Sequence, residues 1–292
     1  MIMPRDKPPE KKRKPSKARP SARPEPPPAK DLLRAIERQL HAEGSIDQNA
    51  AYEAQQLIYE AMEAASDERE TELILQALQL DPTNVDALLR IAQTSPLTGD
   101  EYLAVLREIV ALGEKNLGPA NFREMRGQFW GFVETRPYMR ARAELADTLL
   151  QHGLRQEAVS EWEAMLELNP NDNQGVRYWL LSGYLTLGRL EDAQRLLAKY
   201  PDEGDYNAVF AWGKVLERYL NEDLPGAVTA LQAARKQNPF MEDYLKGRRK
   251  NSASAPDCYA PGSAEEAACY AAMVCMAWRQ QSDSLIWLKG QP

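Results

Sequence analysis

The stretch AELADTLLQHGLRQEAVSEWEAMLELNP, residues 143–170, decides the fold of this chain. Its apolar residues recur at spacings of three and four on both sides of Gly153, and Pro170 ends it. This spacing is typical of two amphipathic helices joined by a turn. Small residues such as Ala146 and Ala158 allow the two helices to approach closely. The stretch therefore predicts a helical hairpin.

The same hairpin pattern recurs along the chain. When the second helix of each copy is aligned, the anchor residues are separated by 34, 54, 35 and 34 positions. The anchors are Glu70, Ala104, Ala158, Ala193 and Ala227. A separation of 54 is one period plus an insertion of about twenty residues. Because no segment alternates convincingly like a β-strand, the sequence predicts an all-α protein built from repeats.

Residues 50–240 resemble the tetratricopeptide repeat (TPR) family, which has this period. In the best copy, the residues that carry the resemblance are Ala146, Gly153, Ala158, Trp162 and Pro170, and the next copy has Gly188 and Ala193. The resemblance implies a TPR-like right-handed superhelical α-solenoid. In such a solenoid the first helix of each repeat lines a concave groove.

The C-terminal part resembles a second group of proteins. NPFMEDYLKGRR, residues 238–249, and PGSAEEAACYAAMVCMAW, residues 261–278, are similar to the closing segment of the TPR-like suppressor of tumorigenicity family and its soluble bacterial relatives. This resemblance implies no catalytic residues.

These patterns divide the chain into five parts. The predicted parts are a disordered tail rich in Pro, Lys and Arg at 1–30; a leading helix and two divergent TPR-like units at 31–118; an aromatic insertion at 119–138; three TPR-like units at 139–241; and a loop with C-terminal capping helices at 242–292. Repeat arrays need such caps because an end repeat would otherwise expose its apolar face.

The predicted tail differs sharply in charge from the rest of the chain. Residues 1–30 contain ten Lys or Arg, three acidic residues, nine prolines and no aromatic residue. The tail therefore carries +7, and since the whole chain carries −7, the remainder carries −14. Such a composition predicts disorder. The run KKRK at 11–14 is read either as a nucleic-acid contact or nuclear address, or as a solvated tail.

The sequence offers little for catalysis or cofactor binding. It has two histidines, His41 and His152, and three cysteines, none in a pattern of metal-ligand spacing or beside a nucleophile's usual partners. We therefore expect no enzyme activity, no cofactor and no metal site. The N-terminus lacks the apolar core of a secretory signal, and no apolar run is long enough to span a bilayer. These features favour a cytoplasmic location with reduced thiols.

The TPR resemblance also implies which residues line the groove. Counted along each first helix, the predicted partner-binding residues are Tyr52, Tyr59, Arg140, Asp147, Tyr178, Trp212 and Tyr219. Tyr, Trp and Arg often anchor protein interfaces, so a protein or peptide partner is expected. An alternative places Tyr178 and Trp212 partly in the core, because a shift of one residue rotates a helical side chain by about 100°.

The insertion supports two interpretations as well. FWGFVETRPYMRAR, residues 129–142, combines aromatic residues with three arginines. In the structural interpretation the aromatic side chains fold back as a plug that covers the repeat interface at Arg140, and Glu134 pairs with Arg136 or Arg140. In the functional interpretation Trp130, Arg136 and Arg142, together with Arg140, bind an anion or a peptide carboxylate.

Two functions follow as hypotheses. The first is a non-catalytic TPR scaffold or adaptor that binds a protein or peptide in its groove. The alternative is a nucleic-acid-associated or regulatory protein that contacts its target through the basic tail. That contact would be weak and sensitive to salt, and the acidic remainder of the chain disfavours broader contact with nucleic acid.

Overall fold

The computed structural model describes residues 28–42, 47–250, 256 and 258–292. Most of the predicted tail, residues 1–27, lies outside the described part of the chain. The described residues form fifteen α-helices, two short 3₁₀ helices and no strand. The all-α prediction is confirmed.

The helices follow one another with short connections. They are α1 Ala29–His41, α2 Gln48–Met62, α3 Asp67–Leu80, α4 Val85–Thr94, α5 Gly99–Glu124, α6 Arg136–Gln151, α7 Arg155–Leu168, α8 Val176–Leu187, α9 Leu190–Lys199, α10 Glu203–Tyr206, α11 Ala208–Leu220, α12 Leu224–Gln237, α13 Met241–Leu245, α14 Ala264–Gln280 and α15 Ser282–Lys289. The 3₁₀ helices are Phe129–Gly131 and Val133–Thr135.

Successive helices pair as hairpins. In these pairs α2 packs on α3, α4 on α5, α6 on α7, α8 on α9 and α11 on α12. Ala146, Ala158 and Trp162, which belong to residues 143–170, are all buried. Gly153, in the turn between α6 and α7, has a φ of 75°, a left-handed conformation that glycine adopts without strain. The hairpin predicted from residues 143–170 is therefore present.

The first helices of neighbouring hairpins also pack on one another. Helix α2 contacts α4, α4 contacts α6, and α8 contacts α11. Gly213 shows how closely α11 approaches α8, since a Cβ at this position would lie 2.7 Å from Leu181 Cδ2. Two sets of first helices result, α2 with α4 and α6, and α8 with α11. Each presents one face away from its second helices.

The predicted insertion, residues 119–138, forms an aromatic cluster between the end of α5 and the start of α6. Helix α5 is broken at Gly118, which has a φ of 69° and precedes Pro119. Beyond it, the buried ring of Phe129 lies with its centroid 5.1 Å from that of Phe122 and 6.4 Å from that of Tyr138. Clusters of this kind contribute to stability through burial and edge contacts between the rings.

Two further helical segments cover the hairpins. Helix α14 packs on α8 and α11, and α15 continues onto α11. At the other end of the chain α1 packs on α5, where Lys115 Nζ donates hydrogen bonds of 2.8, 2.9 and 2.8 Å to the carbonyl oxygens of Gln39, Leu40 and Ala42. A cation at this place satisfies the free carbonyls and the negative end of the α1 dipole. Among the described helices, none has the length and apolarity to cross a membrane.

Candidate binding surface

The face formed by α8 and α11, here the α8–α11 face, is covered by the C-terminal helices. Its predicted groove residues meet α14 and α15 one after another. The contacts are Tyr178 with Tyr270 (ring centroids 5.6 Å apart), Trp212 with Trp278 (6.4 Å) and Tyr219 with Trp287 (5.2 Å). In addition, Ser182 Oγ donates a 2.5 Å hydrogen bond to the Met273 carbonyl. The chain thus fills this part of the predicted groove itself.

A buried carboxylate fixes the start of α14. Glu266 is fully buried and accepts hydrogen bonds from the backbone N–H groups of Ala208 (2.9 Å) and Gly262 (2.6 Å). The side-chain amides of Gln237 and Asn238 also donate to it, at 3.1 and 2.9 Å. A buried carboxylate is costly unless its oxygens are satisfied, and here four neutral donors from three segments converge on it. Helix α14 is therefore held by polar contacts as well as by packing.

The predicted groove residues of the α8–α11 face have limited access to a partner. Trp212 has an exposed fraction of 0% and lies in the core, as the alternative interpretation of the sequence held. Tyr178 and Tyr219 are half-buried. The Tyr178 hydroxyl donates to Glu203 Oε2 at 3.0 Å, and burial followed by the Glu203 carboxylate raises the pKa of this phenol. Trp212 is thus corrected from a groove residue to a core residue.

The corresponding face of α2, α4 and α6, here the α2–α4–α6 face, carries a polar network. Arg140 of α6 binds Asp86 of α4 through both carboxylate oxygens, with Nε 2.9 Å from Oδ1. Gln55 Nε2 of α2 donates to Asp86 Oδ2 at 2.9 Å, and Asn84 Nδ2 donates to Gln55 Oε1 at 3.2 Å. Bidentate pairing of this kind is strong and directional. The network links the three first helices.

Arg140 is engaged in this network but remains within reach of solvent. Its side chain is 28% exposed, whereas that of Asp86 is 2% exposed. Burial acts to lower the pKa of the Arg140 guanidinium, but the hydrogen bonds and charge of Asp86, with a contribution from Tyr59, raise it overall. Arg140 is therefore a fixed cation that can still contact a ligand from the open side.

Two tyrosines stand on the same side of α2. Tyr59 is half-buried beside Arg140, and Tyr52 is 67% exposed. They are seven residues apart, so they lie on one side of the helix, about 10.5 Å apart along its axis. Tyr52 is one of the large apolar side chains that the described structure leaves in solvent.

An acidic site lies on α6 two turns beyond Arg140. Asp147 is exposed and belongs to none of the ion pairs of the described structure. Surrounding protein, followed by the nearby Glu144 carboxylate, raises the pKa of Asp147 to about 6. Glu144 itself accepts a 2.7 Å hydrogen bond from the Tyr102 hydroxyl. Asp147 is thus accessible to a ligand although the surrounding protein removes part of its hydration, as expected for a carboxylate in a surface depression.

The three insertion arginines do not converge on one site. Arg136 Nε donates to the Trp130 carbonyl at 3.0 Å, and its guanidinium lies 5.6 Å from the centre of the Trp130 ring. Arg142 Nε donates to Glu161 Oε2 at 2.7 Å and lies over Tyr138. Arg140, as described, binds Asp86. Arg136, Arg140 and Arg142 therefore contact three different parts of the protein, and of the predicted set only Trp130 and Arg136 lie together.

Glu134 does not play the part expected in the structural interpretation of the insertion. It is exposed, and the ion pairs of the described residues include none between Glu134 and Arg136 or Arg140. Of Phe129, Trp130 and Phe132, only Phe129 is fully buried; Trp130 is half-buried and Phe132 is 37% exposed, so the predicted aromatic plug is reduced to Phe129. Thr135 Oγ1 holds it in place by donating to the carbonyls of Phe129 and Phe132.

Reactive side chains are scattered in the described part of the chain. No group of three or more His, Cys, Asp or Glu residues is arranged to hold a metal ion there. Of the cysteines, Cys258 is exposed, Cys269 is half-buried and Cys275 is buried. Burial raises the pKa values of the Cys269 and Cys275 thiols, which reduces their nucleophilic fraction at neutral pH.

Comparison with known proteins adds no relative. No model of a known protein family matches this chain, and no curated protein sequence matches it significantly. The geometry of the α2–α4–α6 face is therefore the basis for a functional assignment.

Proposed function

We propose that this protein is a non-catalytic TPR-like scaffold or adaptor that binds a protein or peptide segment on its α2–α4–α6 face. The observation that carries the proposal is the contrast between two equivalent faces. The α8–α11 face is filled by the chain's own α14, whereas the α2–α4–α6 face carries Tyr52 in solvent, a fixed cation, Arg140, and a carboxylate, Asp147, that joins none of the ion pairs among the described residues.

The covered face supports this assignment in a second way. Helix α14 shows that first helices of this chain accept another helical segment through buried aromatic and small residues such as Trp278 and Ala271. A stack of hairpins with the short, regular connections described above supports a solenoid in which both faces belong to one groove. In this proposal α14 occupies the part of the groove formed by α8 and α11, and the partner protein occupies the part formed by α2, α4 and α6.

We propose a binding role without catalysis, metal or cofactor, and a cytoplasmic site of action. The support for a binding role is that Arg140 is held by Asp86 and Glu144 by Tyr102, so these two charges of the α2–α4–α6 face are fixed in position for contact with a partner. Interfaces anchored by Tyr and Arg with a few fixed charges are common among peptide-binding proteins.

The test is affinity capture with the full chain as bait and identification of the retained proteins by mass spectrometry. The double variant Tyr52→Ala, Asp147→Lys removes an exposed ring and reverses a charge on the α2–α4–α6 face. Its matched control, Tyr206→Ala, Glu191→Lys, changes a tyrosine of equal exposure, 67%, and a carboxylate side chain that is 93% exposed, both elsewhere. Circular dichroism verifies that the helical content of both variants is unchanged.

We expect one specific protein to be retained by the wild type and by the control, and to be lost from the Tyr52→Ala, Asp147→Lys variant. Equal retention by all three baits would contradict the proposal. Loss of all association on adding nuclease or moderate salt would instead favour the alternative, in which the basic tail contacts nucleic acid.

A further inference from the structure

The α2–α4–α6 face has the chemistry of a surface that takes a proline-rich basic segment. Tyr52 and Tyr59 are separated by about 10.5 Å along α2, and one turn of a polyproline II helix is about 9.3 Å long. Proline-rich segments bind aromatic-lined grooves in this conformation, with little loss of chain entropy. The two tyrosines are thus spaced to receive side chains three residues apart.

The acidic end of the same face selects for positive charge. Asp147 lies in the next-to-last turn of α6, beside Glu144, and the described structure pairs it with no cation. The first helices run in the same direction, so their C-terminal ends, each with a partial negative charge, lie at this edge together. A Lys or Arg placed here forms a charge-assisted hydrogen bond with Asp147.

The chain contains a segment of this composition outside the described residues. Residues 4–27 include eight prolines and nine Lys or Arg, against three acidic residues, and the part of the chain from residue 31 onward carries −14. At about 3.1 Å per residue, these 24 residues reach up to roughly 75 Å. The segment leads into Pro28, the residue before α1, and α1 packs on α5, the hairpin partner of α4. A segment of this length, attached next to α1, is long enough for contact with the face within one molecule.

We propose that the α2–α4–α6 face binds residues 4–27 of its own chain, so that the N-terminal segment occupies the site and competes with the external partner. This inference rests on the proposed function, because it names what regulates the same face. The prolines contact Tyr52 and Tyr59, and the basic run Lys11–Lys14 pairs with Asp147 and Glu144. Weakening the segment's charge opens the face, and so does high salt, since it screens the pairing.

The test is carbodiimide cross-linking of the full chain, which joins a lysine amine to a carboxylate only when they touch. We expect intramolecular cross-links from Lys11, Lys12, Lys14 or Lys17 to Asp147 or Glu144, identified by mass spectrometry. The yield should fall roughly tenfold in Tyr52→Ala, as for the loss of one anchoring tyrosine. It should stay unchanged in Tyr206→Ala, whose tyrosine is equally exposed.

Three outcomes overturn the inference. They are cross-links spread over acidic residues elsewhere, such as Glu265 and Asp283; yields equal in Tyr52→Ala and Tyr206→Ala; and cross-links found only between two molecules. A variant with serine at positions 11–14 provides a second readout, since it should retain several-fold more partner in the affinity capture.

The two experiments distinguish a failure of the inference about residues 4–27 from a failure of the proposed binding function. If cross-links miss the face but Tyr52→Ala, Asp147→Lys still loses the partner, the tail inference falls and the binding function stands. If cross-links map to the face but no bait retains a specific protein, including the variant with serine at 11–14, the tail inference stands and the binding function falls.

Discussion

The two faces made by first helices differ in what covers them. On the α8–α11 face, Trp212 is buried against Trp278 and the adjoining polar groups are tied to α14. On the α2–α4–α6 face, the corresponding positions carry Tyr52 in solvent and a bidentate pair between Arg140 and Asp86. The comparison teaches that a repeat face becomes core or surface according to whether the chain supplies its own covering helix.

The largest loss of stability is expected when the packing of α14 on the α8–α11 face is weakened. Trp278→Ala deletes a fully buried indole between α14, α8 and α11, and we expect the free energy of unfolding to fall by about 3–5 kcal/mol. Urea unfolding followed by circular dichroism measures it. Trp287→Ala, at a half-buried position on α15, is the milder control. A loss below 1 kcal/mol for Trp278→Ala would show that α14 is not part of the core.

The next largest loss of stability is expected from breaking the hydrogen-bond network of the α2–α4–α6 face. Asp86→Ala removes the acceptor for Arg140 and Gln55, and we expect a loss of about 1–3 kcal/mol in the free energy of unfolding, limited because Arg140 is partly solvated. The control Glu157→Ala removes an exposed bridge to Arg107, which contributes less than about 0.5 kcal/mol. If both variants lose the same free energy, the network does not stabilise the stack.

A smaller effect concerns α1. Lys115→Gln removes the ammonium group that binds the last carbonyls of α1, and we expect a local loss of about 1 kcal/mol. Amide hydrogen exchange should accelerate about fivefold in residues 29–41 and remain unchanged in α14. Uniform acceleration across the chain would mean that α1 and the hairpins unfold as one unit.

The smallest effect depends on pH. The pKa of Asp147 is raised to about 6 in the folded protein from an ordinary value of 3.8. The folded state therefore binds a proton more tightly, and Asp147 makes the protein less stable as pH rises from about 4 to about 6. Asp147→Asn should gain stability over the wild type through that window, by less than about 1 kcal/mol because the side chain is exposed. Thermal melts at pH 4, 5, 6 and 7, recorded in high salt so that the basic segment does not pair with Asp147, test the sign, and a constant difference would contradict it.

Much of the helical layout could be predicted from periodicity. The spacing of apolar residues placed Ala146, Ala158 and Trp162 in a hairpin, and all three are buried. Periodicity assigns a residue to one side of a helix, because helical geometry is local and regular. It cannot say what packs on that side, which explains why Trp212 was predicted in the groove although α14 covers it.

The polar contacts of the candidate site could not be predicted in the same way. Arg140 and Asp86 are 54 residues apart, and either residue alone looks like a solvated charge on a helix. The signal available was their equivalent place in the repeat, since Asp86 lies one period and an insertion before Arg140. The prediction of a shared arginine site shows the opposite difficulty, because nearness in sequence does not bring side chains together. Arg136, Arg140 and Arg142 are neighbours in sequence, but they contact Trp130, Asp86 and Glu161 in different segments.

The placement of α14 also bears on how the protein is made. Ribosomes release the chain from its N-terminus, so α1 to α6 emerge first, and α7 is completed only when α8, on which it packs, has followed. Helices α8 and α11 emerge earlier than the segment that shields them, and Trp212 has no cover until residues 264–289 have been synthesised. During that interval the nascent chain exposes an apolar face on its C-terminal half, and this is the stage of synthesis at which a chaperone has a surface to bind.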